Sequence, residues 1–510
     1  MAREKRTKKE SLKKRESKGA PTGGDSARAT PDPKQLLKPT NAPPAEVSPA
    51  RYKLPPPKPG DFEVAKGPIF TTHHDVQGPE GETIEFFETT EHVYNKKNFV
   101  YTHCIADPAF PSSFFYRLTE PEPHGPHMSF EDAATHMFFD RSGTHITTDK
   151  GFRMARANVA VREGRWYWEC KITRGTLKEK PAAGQPESHG HVRVGFARRE
   201  ASLDAPVGFD AYSYGIRDVQ GQKVHMSRPK DFFPPGEDIK EGDVIGLEIQ
   251  LPSEHLHRKV VQGYYNPAVD LADDEPEPSA EAPNIVRDRI PIRFKAHIYF
   301  EKFDYHTTKE LDDLMNPSPM STSGAGTGNS EGPNPNHPSP CMRTLPNSWI
   351  KVYKNGVSMG TAFTNLLAFL PPASKPAPQQ DAREGLDDGM LGYYPAVSTF
   401  RGGAAEVNFG PKFWYPPPGY EGVEEDTVME GQEKAINGGG PNPEKGQPRP
   451  VAERYDEQIV EDVVYDIIDE ADFWMKDGGR VIDRTRQNEK VEAVGMTAGR
   501  EEIKELVQDD

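Results

Sequence analysis

Cysteine is scarce: Cys104, Cys170 and Cys341 are the only three in 510 residues, far apart and without a CxxC pair. Zinc fingers and RING modules, whose ligands come in closely spaced sets, are excluded, and no disulfide framework is expected, which points to a reducing compartment. Long apolar runs are missing too. Nothing approaches the ~20 residues that cross a bilayer, and the N-terminus lacks the apolar stretch of a secretory signal, so a soluble intracellular protein without membrane attachment is expected. There is no P-loop, no GxSxG elbow and no GxGxxG between a strand and a helix. The HGH at 189–191 and HLH at 255–257 lack a nearby Cys or carboxylate set, so surface histidines are expected there and not a metal site. No catalytic residue, cofactor or metal emerges. Apolar residues make up only 34% against 50 prolines and 45 glycines, so much of the chain is not core, and one ordered domain with long disordered insertions is expected.

What charge there is lies segregated. The first 20 residues hold nine Lys or Arg against three Glu, so a chain of formal net charge −16 carries about −22 in its remainder. Such a tail suits nuclear import or a weak, salt-sensitive contact with DNA or nucleosomal phosphates, as does Lys96-Lys97. Residues 1–60 read as a disordered basic and Pro-rich tail, and 61–420 as the ordered domain. Within it, the tracts near 268–284, 316–346 and 371–389 read as loops that cannot bury a core.

The strands alternate. From Arg165 to Thr173, Trp166, Trp168, Cys170 and Ile172 share one face, which predicts a half-buried strand. In His191 to Ala197 the apolar set is Val192, Val194 and Phe196, leaving Arg193 on the opposite face, free to meet a ligand. Asp243 to Leu251 repeats the pattern, with Ile245, Leu247, Ile249 and Leu251 inward. Three such strands predict an all-β sandwich. Asn355-Gly356 supplies the positive φ of a two-residue hairpin turn between strands at 349–353 and 357–360.

After a linker at 421–452, residues 453–477 predict an amphipathic helix. Its apolar stripe includes Ile459, Val460, Val463, Val464, Ile467, Ile468 and Ala471, and its other face is dense in acid. The linker leaves that stripe without an obvious home in the chain, so a groove on another protein suits it, with the sandwich as the alternative. An acidic tail, 478–510, follows.

WYWECKI, VRVGFA, APVGFDAYSYGIRD, GDVIGLEIQLP, IPIRFKAHIYFEKFDY, KVYKNGVSMG and EVNFGPKFWYPP together resemble the SPRY (B30.2-like) domain of the ASH-two-like subunit of COMPASS, a histone methyltransferase complex. The similarity spans about 139–420. GDVIG and KNG occur in generic SPRY domains, whereas SLDAPVGFDAYSYGIRD, the strand IRFKAHIYFE and the C-terminal helix are particular to this family. Without the Cys-rich modules of some animal members, the chain resembles the fungal form. The resemblance implies a nuclear, non-catalytic scaffold. Such a subunit binds an acidic segment of the WD-repeat propeller subunit and stimulates the SET-domain methyltransferase, which acts on lysine 4 of the histone-three tail, so regulating transcription.

Carried over residue by residue, the peptide site comprises Phe152 of KGFRMARA, Arg193 of VRVGF, Pro206 of APVGF and Arg217 of GIRD. Val219 departs from the pattern, standing where the family has a further basic residue. Two guanidinium groups remain, each a planar fork of donors suited to a carboxylate. The resemblance also implies that Val460, Val463, Val464, Ile467 and Ile468 enter the groove of a Dumpy-thirty dimer. The rival class, a SPRY substrate adaptor of a ubiquitin ligase, needs a RING or an elongin-recruiting box, and neither is visible.

Overall fold

The computed structural model describes residues 57–95, 98–107, 116–179, 188–270, 285–288, 290–295, 297–316, 331–376, 385–420, 447–475 and 504–505. The basic tail, Lys96-Lys97 and most of the 268–284 and 421–452 tracts lie outside these residues. In chain order the strands begin β1 (Ile69–Gln77), β2 (Thr83–Thr90), β3 (Phe99–Ala106), β4 (Tyr116–Leu118), β5 (Met128–Ala133), β6 (Phe138–Phe139), β7 (His145–Thr147) and β8 (Arg153–Ala157). They continue as β9 (Gly164–Arg174), β10 (His191–Ala197), β11 (Ser213–Arg217), β12 (Lys223–His225), β13 (Arg228–Lys230) and β14 (Val244–Leu251), after which comes helix α1 (Glu254–Gln262). Then follow β15 (Ile290–Phe294), β16 (His297–Phe303), β17 (Tyr305–His306), helix α2 (Lys309–Met315), β18 (Trp349–Lys354), β19 (Val357–Thr364) and β20 (Lys375–Pro376). The last are β21 (Tyr394–Phe400), β22 (Ala404–Asn408), β23 (Arg449–Pro450), helix α3 (Val451–Met475) and β24 (Lys504–Glu505).

Two large sheets form the expected β-sandwich. One runs β1-β2-β6-β7-β22-β9-β14-β18-β19, with β23 alongside β9; the other runs β13-β12-β11-β10-β21-β8-β5. Trp168 of β9 projects between them, its ring centroid 6.2 Å from that of Phe196 on β10 and 5.9 Å from that of Phe409. The hairpin forms as expected, with Asn355 at φ 49° and Gly356 at φ 80°, although its second strand runs on to Thr364.

The half-buried reading of β9 is corrected: its outer face is covered as well. Trp414 N–H and Tyr415 N–H donate to the Glu169 carboxylate at 2.7 and 2.8 Å, and the Tyr167 hydroxyl donates to Tyr415 O at 2.9 Å. These bonds lay the segment after β22 over the sheet. Gly246, paired with Glu169 on β14, makes room, because a Cβ there would come within 2.0 Å of the Tyr167 hydroxyl oxygen.

Other expectations change too. A smaller third sheet, β24-β15-β16-β3-β4, joins β3 and β4 to strands that follow the 268–284 tract, and takes in part of the expected acidic tail through β24. The 316–346 and 371–389 tracts do contribute to the core at their ends, where Cys341, Met342, Leu345 and Ala373 are buried. His257 is a buried histidine and not a surface one, since its Nε2 accepts from Phe369 N–H and Leu370 N–H at 3.1 and 3.2 Å.

Helix α3 begins two residues before the expected start, and it is tethered to the sandwich. β23 runs parallel to β9 at Trp166 and Tyr167, Ala452 N–H donates to Phe409 O at 2.9 Å, and Arg454 Nε donates to Ala160 O at 3.0 Å. Val451 is fully buried, and further along Arg287 pairs with Asp462 at 2.6 Å. The first turn thus finds an intrachain home that apolar spacing alone did not reveal. Among the described residues no helix is long and apolar enough to cross a membrane.

Candidate functional site

Alternation along β10 sends Val192, Val194 and Phe196 into the sandwich and leaves His191 and Arg193 on the outer face. Antiparallel pairing then sets Arg193 directly opposite Arg217 of β11 on one side and Ser398 of β21 on the other. Facing residues on one side of such a pair have Cβ atoms only about 4.5–5.5 Å apart, and like charges so placed oppose each other. Burial first, then the Arg217 charge, pulls the Arg193 pKa below its ordinary value. Among the described residues no carboxylate forms an ion pair with either guanidinium. The nearby Asp218 accepts instead from His191 Nδ1 at 2.8 Å, Val219 N–H at 2.9 Å and Val192 N–H at 3.3 Å.

The aromatic residue joins the arginines. Arg193 Cζ lies 4.7 Å from the centroid of Phe152, whose ring in turn lies 4.7 Å from that of Phe400. Stacking holds a guanidinium by its face and leaves its edge donors for a ligand. Pro206 arrives by the loop before β11. Val207 N–H donates to Ser398 Oγ at 3.0 Å, and a Cβ on Gly215 would meet Val207 O at 2.6 Å, so the loop lies directly on this face. The fold thus brings together Phe152, Arg193 and Arg217, with Pro206 at their margin. Val219 follows them in a short 3₁₀ turn and presents no charge.

Two members of this face escaped the sequence reading. Phe400 backs Phe152, and His191 sits in register with Phe400 across the β10–β21 pair. The i, i+2 spacing in HVR was a usable signal for His191, since it shares the face of Arg193. Hydrogen bonding to Asp218 raises the His191 pKa above its ordinary 6.5, against burial and the two arginines. A raised pKa makes the stabilising contact fully present below pH 6.5 and lost as pH rises through the raised value. Protonated His191 adds a third cation to the face. Affinity for a carboxylate-bearing peptide is therefore expected to fall several-fold between about pH 6 and pH 8, and His191→Gln to flatten that slope. A wild-type titration already flat over this range removes His191 from the site.

The second expected site is laid out separately. Val460, Val463, Val464, Ile467 and Ile468 are exposed on α3, from 38% for Ile468 to 63% for Val460. At 3.6 residues per turn they form one stripe about 140° wide. The opposite side of the helix faces the body through Tyr455, Asp462 and Asp466. No group of three or more His, Cys, Asp or Glu among the described residues is placed to hold a metal ion.

No protein-family model matches the chain. The COMPASS component cclA of Colletotrichum higginsianum is 67% identical over 99% of this chain and 89% of that protein. The Set1 complex component ash2 of Schizosaccharomyces pombe is 39% identical over 87% of this chain and 56% of that protein. A solved human SPRY domain aligns over 55% of this chain and 98% of its own length, at 11% identity and a TM-score of 0.25.

Proposed function

The chain belongs to the family of COMPASS components that includes cclA and ash2, and from that membership we propose a nuclear, non-catalytic scaffold with two separate docking sites. The first is the face of Phe152, Arg193, Pro206 and Arg217, which takes an acidic segment of the WD-repeat propeller subunit. The second is the apolar stripe of α3, which takes the Dumpy-thirty dimer. Together they hold the propeller and the SET-domain methyltransferase in the arrangement that methylates lysine 4 of the histone-three tail.

One observation carries the first site. Two arginines oppose each other across a strand pair, partly buried and without an acidic partner among the described residues. A carboxylate bound between them replaces repulsion by two charge-assisted contacts, each about 1.5–3 kcal/mol. The absence of a charge at Val219 favours carboxylates over phosphate. Reconstitution of methyltransferase activity from the SET and propeller subunits, with and without this chain, tests the reading. Stimulation by the full chain is expected. Equal rates in both arms exclude a role in COMPASS catalysis and favour a different SPRY adaptor.

A further inference from the structure

A cavity of about 560 Å³ lies between the third sheet, the sandwich and α3, apart from the arginine face and bordered on the helix by Ile459, Asp462, Val463 and Asp466, so that it meets the docking stripe only at Val463. Its size falls within the roughly 300–1,000 Å³ of small-molecule sites. The walls are mixed. Val100, Leu118, Phe130, Met390, Tyr394 and Ile459 give it an apolar wall, and Thr102, His103, Arg199, Arg287 and Lys302 add polar groups to the lining.

Buried donors here are left over. Arg287 is 7% exposed; its Nη2 pairs with Asp462, yet its Nε and Nη1 have no partner among the described residues. Arg199, equally buried, leaves Nη2 unpaired, and His103 spends Nε2 on Glu131 and leaves Nδ1 without a partner. Buried polar groups are ordinarily satisfied, so unpaired nitrogens on three residues that line one cavity call for an acceptor, reached by a small shift of their side chains. Five of the six acids in the lining, Glu122 aside, are engaged. Asp132 takes a double contact from Arg156 at 2.6 and 2.8 Å, Glu131 takes His103, Asp462 takes Arg287, and Glu120 takes the Tyr455 hydroxyl. Asp466 also has a partner.

We propose that this cavity binds a small amphiphilic organic anion, its acidic head against Arg287 and Arg199 and its apolar body along Leu118, Phe130 and Ile459. Because α3 supplies one wall, such a ligand holds the helix in its seat while Val460, Val464, Ile467 and Ile468 of the outer stripe stay free for a partner.

Fluorescence titration of the full chain with 1-anilinonaphthalene-8-sulfonate, a sulfonate on an apolar ring body, tests this. A single saturable site is expected, displaced by dodecanoate or dodecyl phosphate, whichever head group fits, and not by dodecanol. Arg287→Gln and Leu118→Trp should each weaken it at least tenfold, the first by removing the head contact and the second by filling the body. Val464→Asp with Ile468→Asp should leave it unchanged. Should Arg287→Gln fail to fold by thermal melting, Leu118→Trp decides the matter, since it removes no charge. Absence of a saturable site, its survival in folded Leu118→Trp, or its loss on changing the outer stripe of α3 overturns the proposal.

Discussion

The 510-residue chain carrying Arg217→Ala is expected to bind an acidic propeller-subunit peptide at least tenfold more weakly than wild type, a loss of about 1.4 kcal/mol or more. Its fold should not suffer. Arg217 faces Arg193 across β10 and β11 with no carboxylate paired to it among the described residues, so truncation removes a repulsion and no native ion pair. The variant is therefore expected to melt no lower than wild type while it loses the ligand. That combination separates a binding role from a structural one, because a guanidinium that served the fold would lower both. Arg193→Ala should cost more, since Arg193 also stacks on Phe152 and its removal frees that ring. The two losses should not add, because one carboxylate bridges both groups. Calorimetry that finds unchanged affinity in folded Arg217→Ala protein removes this face as the peptide site.

That face was legible because β10 obeys a period of two, and a strand's register fixes which side chains share a face. Arg193 could be placed outward from Val192, Val194 and Phe196 alone. What spacing did not disclose was the pairing partner: that Arg217 stands opposite Arg193, and that Phe400 backs Phe152, depends on non-local strand order. The same limit applies to β9. Its alternation announced a half-buried strand, yet Tyr167 and Glu169 are covered by residues 413–415, about 245 positions later. A carboxylate that accepts two backbone N–H groups looks, in sequence, like any solvated glutamate. His257 misled for a similar reason, since its value is a buried acceptor for Phe369 and Leu370. The third sheet was hidden because it assembles from β3, β4, β15 and β16 across most of the domain.

Replacing Val464 and Ile468 of α3 together by aspartate is expected to abolish capture of the Dumpy-thirty dimer while acidic-peptide binding stays within twofold of wild type. Both positions lie in the exposed stripe, and each apolar side chain there gains roughly 1.5–3 kcal/mol when fully buried by a partner. Two buried, unpaired carboxylates would cost more than that gain. The helix itself should persist, because its anchors lie elsewhere: Val451 in the core, Arg454 on Ala160 O and on Glu461 at 2.6 and 2.7 Å, and Asp462 on Arg287. The tether also sharpens what the result means. Since α3 is seated on the sandwich and not hung from a free linker, its outer stripe is presented at a fixed angle to the body. A captured dimer is then held in a defined position relative to the arginine face. Loosening the seat by Arg454→Ala, with the stripe intact, should preserve dimer capture in a pull-down yet reduce the stimulation of methyltransferase activity. Equal stimulation by Arg454→Ala and wild type would show that α3 acts as a flexible tether and that its angle carries no function.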